Sequence, residues 1–129
     1  MITCHNLSKS FTTNGETVHI YNNLNRSVQA GSSVAIMGPS GSGKSTLLNM
    51  ISGLDIPDSG EIIVDESNIA TLSEDDRTFW RSQHIGFIFQ QFHLIPNLTV
   101  AENIDLVIEI SKIPRRCSTT EILAKVGLS

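Results

Sequence analysis

The chain has 129 residues, the ordinary size of one domain, and 40% of them are hydrophobic, which is enough apolar material for a packed core. A net charge of −4, with no Lys/Arg cluster beyond Arg115-Arg116, weighs against an electrostatic surface for DNA or RNA. The opening Met1-Ile2-Thr3-Cys4-His5-Asn6 has neither a basic leader nor an apolar signal core, and no stretch approaches membrane-spanning length, so a cytoplasmic chain without a span is expected.

In chain order, a strand is predicted from Ile2 to Leu7, and Thr12-Thr13-Asn14-Gly15-Glu16 carries hairpin chemistry before Val18-His19-Ile20 resumes an extended pattern. Ala30-Gly31 is a turn. The apolar run Val34-Ala35-Ile36-Met37 reads as a buried strand, followed by a helix over 44–52 with Gly53 as its C-terminal stop. After a turn at Pro57-Asp58-Ser59-Gly60, Glu61-Ile62-Ile63-Val64-Asp65 reads as a strand, and Ser73 with Asp76 opens a short helix towards Arg81. Ile85-Gly86-Phe87-Ile88-Phe89 is a further predicted strand, bounded by Gln90-Gln91. Thr99 with Glu102, and Ser118 with Glu121, begin two more helices, the last stopped by Gly127. Cys4 and Cys117 lie far apart without metal-ligand spacing, so reduced thiols are expected, and His5, His19, His84 and His93 show no metal spacing either. Pro114-Arg115-Arg116 reads as a solvated loop.

The chemistry is concentrated in Gly38-Pro39-Ser40-Gly41-Ser42-Gly43-Lys44-Ser45-Thr46, a complete phosphate-binding loop in a strand-loop-helix context. Its glycines let successive backbone N–H groups turn inward onto phosphate oxygens, and the helix opening near Lys44 adds its positive dipole end. Lys44 is placed to reach the β- and γ-phosphates as a point charge, and the Ser45 hydroxyl to ligate the Mg²⁺ that accompanies a nucleoside triphosphate.

The order of these pieces resembles the ATP-binding subunit of ABC transporters, especially the branch serving lipoprotein-release and macrolide-export permeases. The resemblance rests on Leu7-Ser8-Lys9-Ser10-Phe11, the phosphate loop, Leu54-Asp55-Ile56-Pro57-Asp58-Ser59-Gly60-Glu61, and the segment from Ile85 through Gln90-Gln91-Phe92-His93-Leu94-Ile95-Pro96 to Glu102-Asn103. It implies an α/β P-loop fold of the ABC ATPase type, with an N-terminal antiparallel β subdomain and the start of a helical subdomain. It also implies ATP and Mg²⁺ as ligands, a transmembrane permease and a second ATP-binding subunit as partners, and a location at the cytoplasmic face of the membrane. Phe11 is then the platform for the adenine ring, since a phenylalanine keeps the π-face that stacking needs. Gln90 is implied as a ligand of Mg²⁺ and a contact of the γ-phosphate or attacking water, with Gln91 the competing assignment. Residues from Phe92 to Pro96 are implied to meet the permease.

The family's Leu-Ser-Gly-Gly-Gln signature, its Walker B Asp with catalytic Glu, and its switch His do not occur in the 129 residues. The expectation is therefore an incomplete, N-terminal part of an ABC ATP-binding domain, over 1–129, that keeps ATP contacts without hydrolysis on its own. Ile62-Ile63-Val64-Asp65-Glu66 imitates a Walker B strand, but it precedes the Gln-loop, where the family has its antiparallel sheet. In the family the Walker B strand lies beside residues 34–37, so these are expected to form an exposed apolar edge and the chain to be marginally stable or dependent on another polypeptide. Two other functions compete: a non-catalytic nucleotide-binding module that regulates a transporter, and a small P-loop kinase using Asp65 or Glu66.

Overall fold

Asn14 and Gly15 both take positive φ, 54° and 84°, the conformation that a two-residue hairpin turn demands. They fold β1 (Ile2–Thr13) onto β2 (Glu16–Val28) with Thr13 opposite Glu16 and Phe11 opposite Val18. The pairing is irregular between Cys4 and Ser10, where Asn6 and Asn23 take positive φ and the Asn6 N–H donates to the Asn25 side-chain oxygen at 2.9 Å. The structure, a computed structural model, describes residues 1–111 and 114–128. Its contacts divide the chain into two compact units, Met1–Arg81 and Ser82–Ser129.

In the first unit, β3 (Ser59–Val64) pairs antiparallel with β1, and β4 (Ser67–Asn68) pairs with β3, giving one sheet in the order β2-β1-β3-β4. Gly60 is the closest approach: with φ 94°, a Cβ there would lie 2.5 Å from the Asn6 carbonyl oxygen and 2.6 Å from that of His5, so only glycine fits against the β1 backbone. Alternate residues of β3 turn inward, and in β1 the inward residues Cys4 and Leu7 flank the irregularity in its pairing. Cys4, Leu7, Ile62 and Val64 are buried together with Met50 of α1 (Lys44–Ile51), Ile69 of a short 3₁₀ turn and Trp80 of α2 (Glu74–His84). Each fully buried aliphatic side chain contributes roughly 1.5–3 kcal/mol of transfer free energy. Gly53, at φ 75°, ends α1 as expected. The Ser73 hydroxyl accepts from the Asp76 N–H at 3.1 Å and so caps α2.

The second unit holds the end of α2, then α3 (Val100–Ser111) and α4 (Thr119–Lys125), and none of its described residues is buried. Both helices start where the sequence predicts. Thr99 exchanges hydrogen bonds with Glu102, and Ser118 with Glu121, so each N-terminus is closed by a reciprocal capping box. Asp105 accepts from Arg115 and Thr119 and ties α3 to the start of α4; Arg115 therefore has a structural partner rather than standing free in a solvated loop.

Four expectations are corrected. Residues 34–37 form no strand and are not buried: Val34 is 62% and Met37 87% exposed. A parallel strand needs a neighbour to pair with, and the described strands all pair within the antiparallel sheet. Residues 85–89 likewise form no strand, and their order is instead a ring stack, Phe87 on Phe89 at 5.2 Å between centroids. The turn expected over 57–60 is shorter, because β3 already begins at Ser59. Asp65 is not the end of a strand but the first of two turn residues, Asp65 and Glu66, with φ 44° and 74°, and the small strand β4 beyond them went unpredicted. Asp-Glu lacks the Asn-Gly signature that makes a hairpin legible.

Candidate functional site

The loop from Gly38 to Thr46 leaves α1 with no acidic residue in its first turn and no side-chain cap. Its N–H groups face the loop without a built-in anion, which is the local condition for binding one. Gly43, at φ 89°, is the residue from which the helix starts; a Cβ on it would fall 2.3 Å from Ile20 Cγ2 and 3.1 Å from the Tyr21 hydroxyl. The loop is thus pressed against β2, and burial there raises the Tyr21 hydroxyl above its ordinary value, keeping it protonated. Lys44 folds back over the loop: its Nζ donates to the Gly38 carbonyl at 2.9 Å and the Pro39 carbonyl at 2.6 Å, with Ser42 Oγ at 3.4 Å. The ammonium is held inside the curl by carbonyl oxygens that are weaker partners than an anion.

A cavity of about 380 Å³ joins this loop to the hairpin. Its walls are Phe11 and Ile20 on one side and Ser40, Gly41, Gly43, Lys44, Ser45 and Thr46 on the other. An aromatic face, a helix N-terminus, a lysine and a hydroxyl therefore surround one space, the set that a base, a phosphate chain and a hard cation require. Phe11 is 44% exposed, so its ring is not consumed by core packing. Gly38, Pro39 and Ser42 border instead, together with Lys44, a larger cavity of about 520 Å³ whose other walls include Ile2, Leu24, Val28, Val34, Ile36 and Leu47. That second space is lined mainly by apolar side chains, with Tyr21, Arg26 and Ser27 also on its wall, and its residues Val34, Ile36 and Met37 are exposed.

Gln90 and Gln91 both belong to the second unit, on an exposed bend that follows the Phe87 and Phe89 stack, and Phe89 packs in turn on His93 at 4.4 Å. Neither glutamine is favoured over the other by burial. Asp65 accepts from the Met1 ammonium at 2.6 Å, and neither it nor Glu66 lines the loop cavity. The kinase function loses its proposed carboxylates on that ground.

Sequence reasoning missed Ile20. Its place was not legible: the hairpin register runs regularly from Thr13 opposite Glu16 to Ser10 opposite His19, but the next pair is Lys9 with Tyr21, so Ile20 sits where the register shifts and strand alternation does not fix its side. Also missed was a strap between two motifs distant in sequence. Lys9 Nζ donates to Asp55 Oδ1 at 2.9 Å and to the Ile56 carbonyl at 2.8 Å; Asp58 Oδ2 accepts from the Ser10 N–H at 2.7 Å and the Ser10 hydroxyl at 2.6 Å. Those bonds from Ser10 hold the Asp58 carboxyl below the usual carboxylate range. No local pattern announces a pairing across more than forty residues.

The profile of the ABC transporter family matches residues 21–129. An uncharacterized ABC transporter ATP-binding protein of Bacillus subtilis, YvrO, is 45% identical over 131 residues, covering 99% of this chain and 57% of that protein. The lipoprotein-releasing system ATP-binding protein LolD of Saccharophagus degradans is 38% identical over 132 residues, covering 100% of this chain and 58% of its own length. Among solved structures, the ATP-binding cassette MJ0796 of Methanocaldococcus jannaschii, a dimer in a post-hydrolysis state bound to ADP and Pi, superposes with a TM-score of 0.82 at 42% identity, over 94% of this chain and 52% of that one. The chain thus spans about half the length of the relatives it matches. No described helix is long and apolar enough to cross a membrane. With the fold, the loop and these relatives in agreement, the chain belongs to the ABC transporter family and carries a partial P-loop α/β fold of the ABC ATPase type.

Proposed function

We propose that this chain is the nucleotide-holding, N-terminal part of the ATP-binding domain of a transporter of the lipoprotein-release or macrolide-export type. The observation that carries the proposal is the one cavity shared by Phe11 with Ser40, Gly41 and the residues from Gly43 to Thr46. In it the base stacks on Phe11, the N–H groups from Gly41 to Thr46 and the Lys44 ammonium hold the phosphate chain, and the ammonium exchanges its loop carbonyls for phosphate oxygens. Mg²⁺, when bound, supplies charge neutralisation at the β- and γ-oxygens. Ser45 is its proposed ligand from the loop. Coupling of ATP binding and hydrolysis to transport, a second ATP-binding subunit across the nucleotide, a permease at the cytoplasmic membrane face and contact of Phe92, Leu94 and Ile95 with that permease are proposed for the whole protein. These three side chains are all exposed, which suits a docking surface.

Calorimetry of the purified chain with ATP, with and without Mg²⁺, tests the reading. Saturable binding is expected, weakened about 10- to 100-fold by Lys44→Ala, the range for losing charge-assisted bonds of roughly 1.5–3 kcal/mol. Binding that is absent, or indifferent to Lys44, would overturn it. Phosphate release followed on the same sample separates turnover from holding.

A further inference from the structure

Lys9 is buried, only 8% exposed, yet no catalytic or binding role has so far been given to it. Its ammonium is pinned between Asp55 Oδ1 and the Ile56 carbonyl, and it stands over the Phe11 ring, 5.2 Å from the centroid. Phe11 forms part of the wall of the loop cavity and Lys9 does not. Lys9 and Phe11, two apart on β1, share a face of the strand. The next residue, Ser10, is bound through both its N–H and its hydroxyl to Asp58, and the Asp58 N–H donates back to the Ser8 carbonyl at 2.9 Å. The stretch 8–10 that leads into Phe11 is therefore clamped by the turn at 55–58, in which every charged side chain is engaged.

From this geometry we propose that Lys9 is a positioning residue for the nucleotide base: it fixes the orientation of the Phe11 ring by a cation–π contact, while Asp55 and Ile56 hold the ammonium in place. The inference rests on the reading of Phe11 as base platform. A half-exposed phenylalanine on a strand end loses ring orientation to rotation about two torsions, and stacking requires that this freedom be given up. An anchored ammonium supplies the restraint from within the protein, and by drawing on the ring's π-density it favours an electron-rich purine as the stacking partner. Lys9 acts on the base through Phe11 and not on the phosphates, which are met by Lys44 and the loop.

That division gives the test. Calorimetric affinities for Mg-ATP and for Mg-tripolyphosphate, which carries the phosphates without a base, are compared for the unsubstituted chain, Lys9→Met, the Lys9→Met/Asp55→Asn double variant and Phe11→Ala. Methionine keeps the buried stem, and the double variant leaves no unpaired carboxylate should the single one fold poorly. Both Lys9 variants are expected to bind ATP about 3- to 10-fold more weakly, as loss of a partly desolvated cation–π contact implies, with tripolyphosphate affinity unchanged. Equal weakening towards both ligands, which a merely structural role would produce, overturns the inference, as does no change towards either. Phe11→Ala separates the two readings. If it weakens ATP alone while the Lys9 variants do nothing, only the role of Lys9 falls; if it leaves ATP binding intact, the base platform falls and Lys9 with it.

Discussion

At Gly43 a single missing Cβ decides whether the phosphate loop can exist. The residue combines φ 89° with a contact distance of 2.3 Å from its would-be Cβ to Ile20, so an alanine there meets both a backbone penalty and a clash with β2. Gly43→Ala is expected to lower stability by about 1–3 kcal/mol, the usual cost of a non-glycine residue in that conformation, and to weaken ATP binding more than stability alone explains, because the loop must withdraw from the cavity. Thermal denaturation paired with calorimetry checks this; a variant that binds ATP like the parent would show that the loop tolerates the shift. That Lys44 stands at the start of the helix behind the loop was legible from the motif alone. Its actual partners, the carbonyls of Gly38 and Pro39, were not, because they depend on how the curl closes rather than on residue type.

Among elements, the caps were the most legible feature. Ser73, Thr99 and Ser118 each open a helix as their spacing to Asp76, Glu102 and Glu121 predicts, since the bonds involved are local and need no tertiary help. Glu102 and Glu121 are held below their ordinary value by backbone and side-chain bonds from Thr99 and Ser118, Asp58 by Ser10, and Asp105 chiefly by Thr119. A carboxyl depressed in the folded state adds stability that is fully present above its unfolded value and is lost as pH falls through the folded one. Stability is therefore expected to be insensitive to these groups above the ordinary glutamate value of 4.5 and to decline below it as they protonate. A thermal midpoint that stays level from about pH 6 to about pH 3 would contradict it. Asp58, Glu102 and Glu121 are exposed and Asp105 is half-buried, so the decline is gradual rather than a collapse.

For the whole molecule, residues 34–37 are the weak point. Val34, Ile36 and Met37 are exposed, hydrophobic and unpaired in any sheet, a template for intermolecular strand pairing. The isolated chain is expected to show a concentration-dependent thermal transition with rising light scattering. Ile36→Lys should suppress the scattering several-fold at equal protein concentration, a charge being a poor guest in a stacked edge. A cooperative, concentration-independent transition in the unsubstituted chain would count against this. The expectation of an exposed apolar edge was drawn from the order of motifs, and the exposure of 34–37 agrees with it, although as an unpaired segment rather than as the strand that was anticipated.

By itself, then, the amino-acid order determined what is local: the phosphate loop and its lysine, the Asn14-Gly15 hairpin, three caps, two glycine stops and, through four motif stretches, the family. Short-range hydrogen bonds and backbone sterics need only neighbours in sequence, so residue type at a given spacing suffices. Tertiary structure alone decided what depends on partners far along the chain. Residues 34–37 and 85–89 have the composition of strands but no strand to pair with, and Asp65-Glu66 has the letters of a catalytic pair but the backbone of a turn. Phe11 was joined to the loop, and Lys9 to Asp55 and Ile56, only by the packing of hairpin, α1 and β3. A strand or a site exists when distant groups meet, and burial and hydrogen-bond satisfaction across the fold set which of them do.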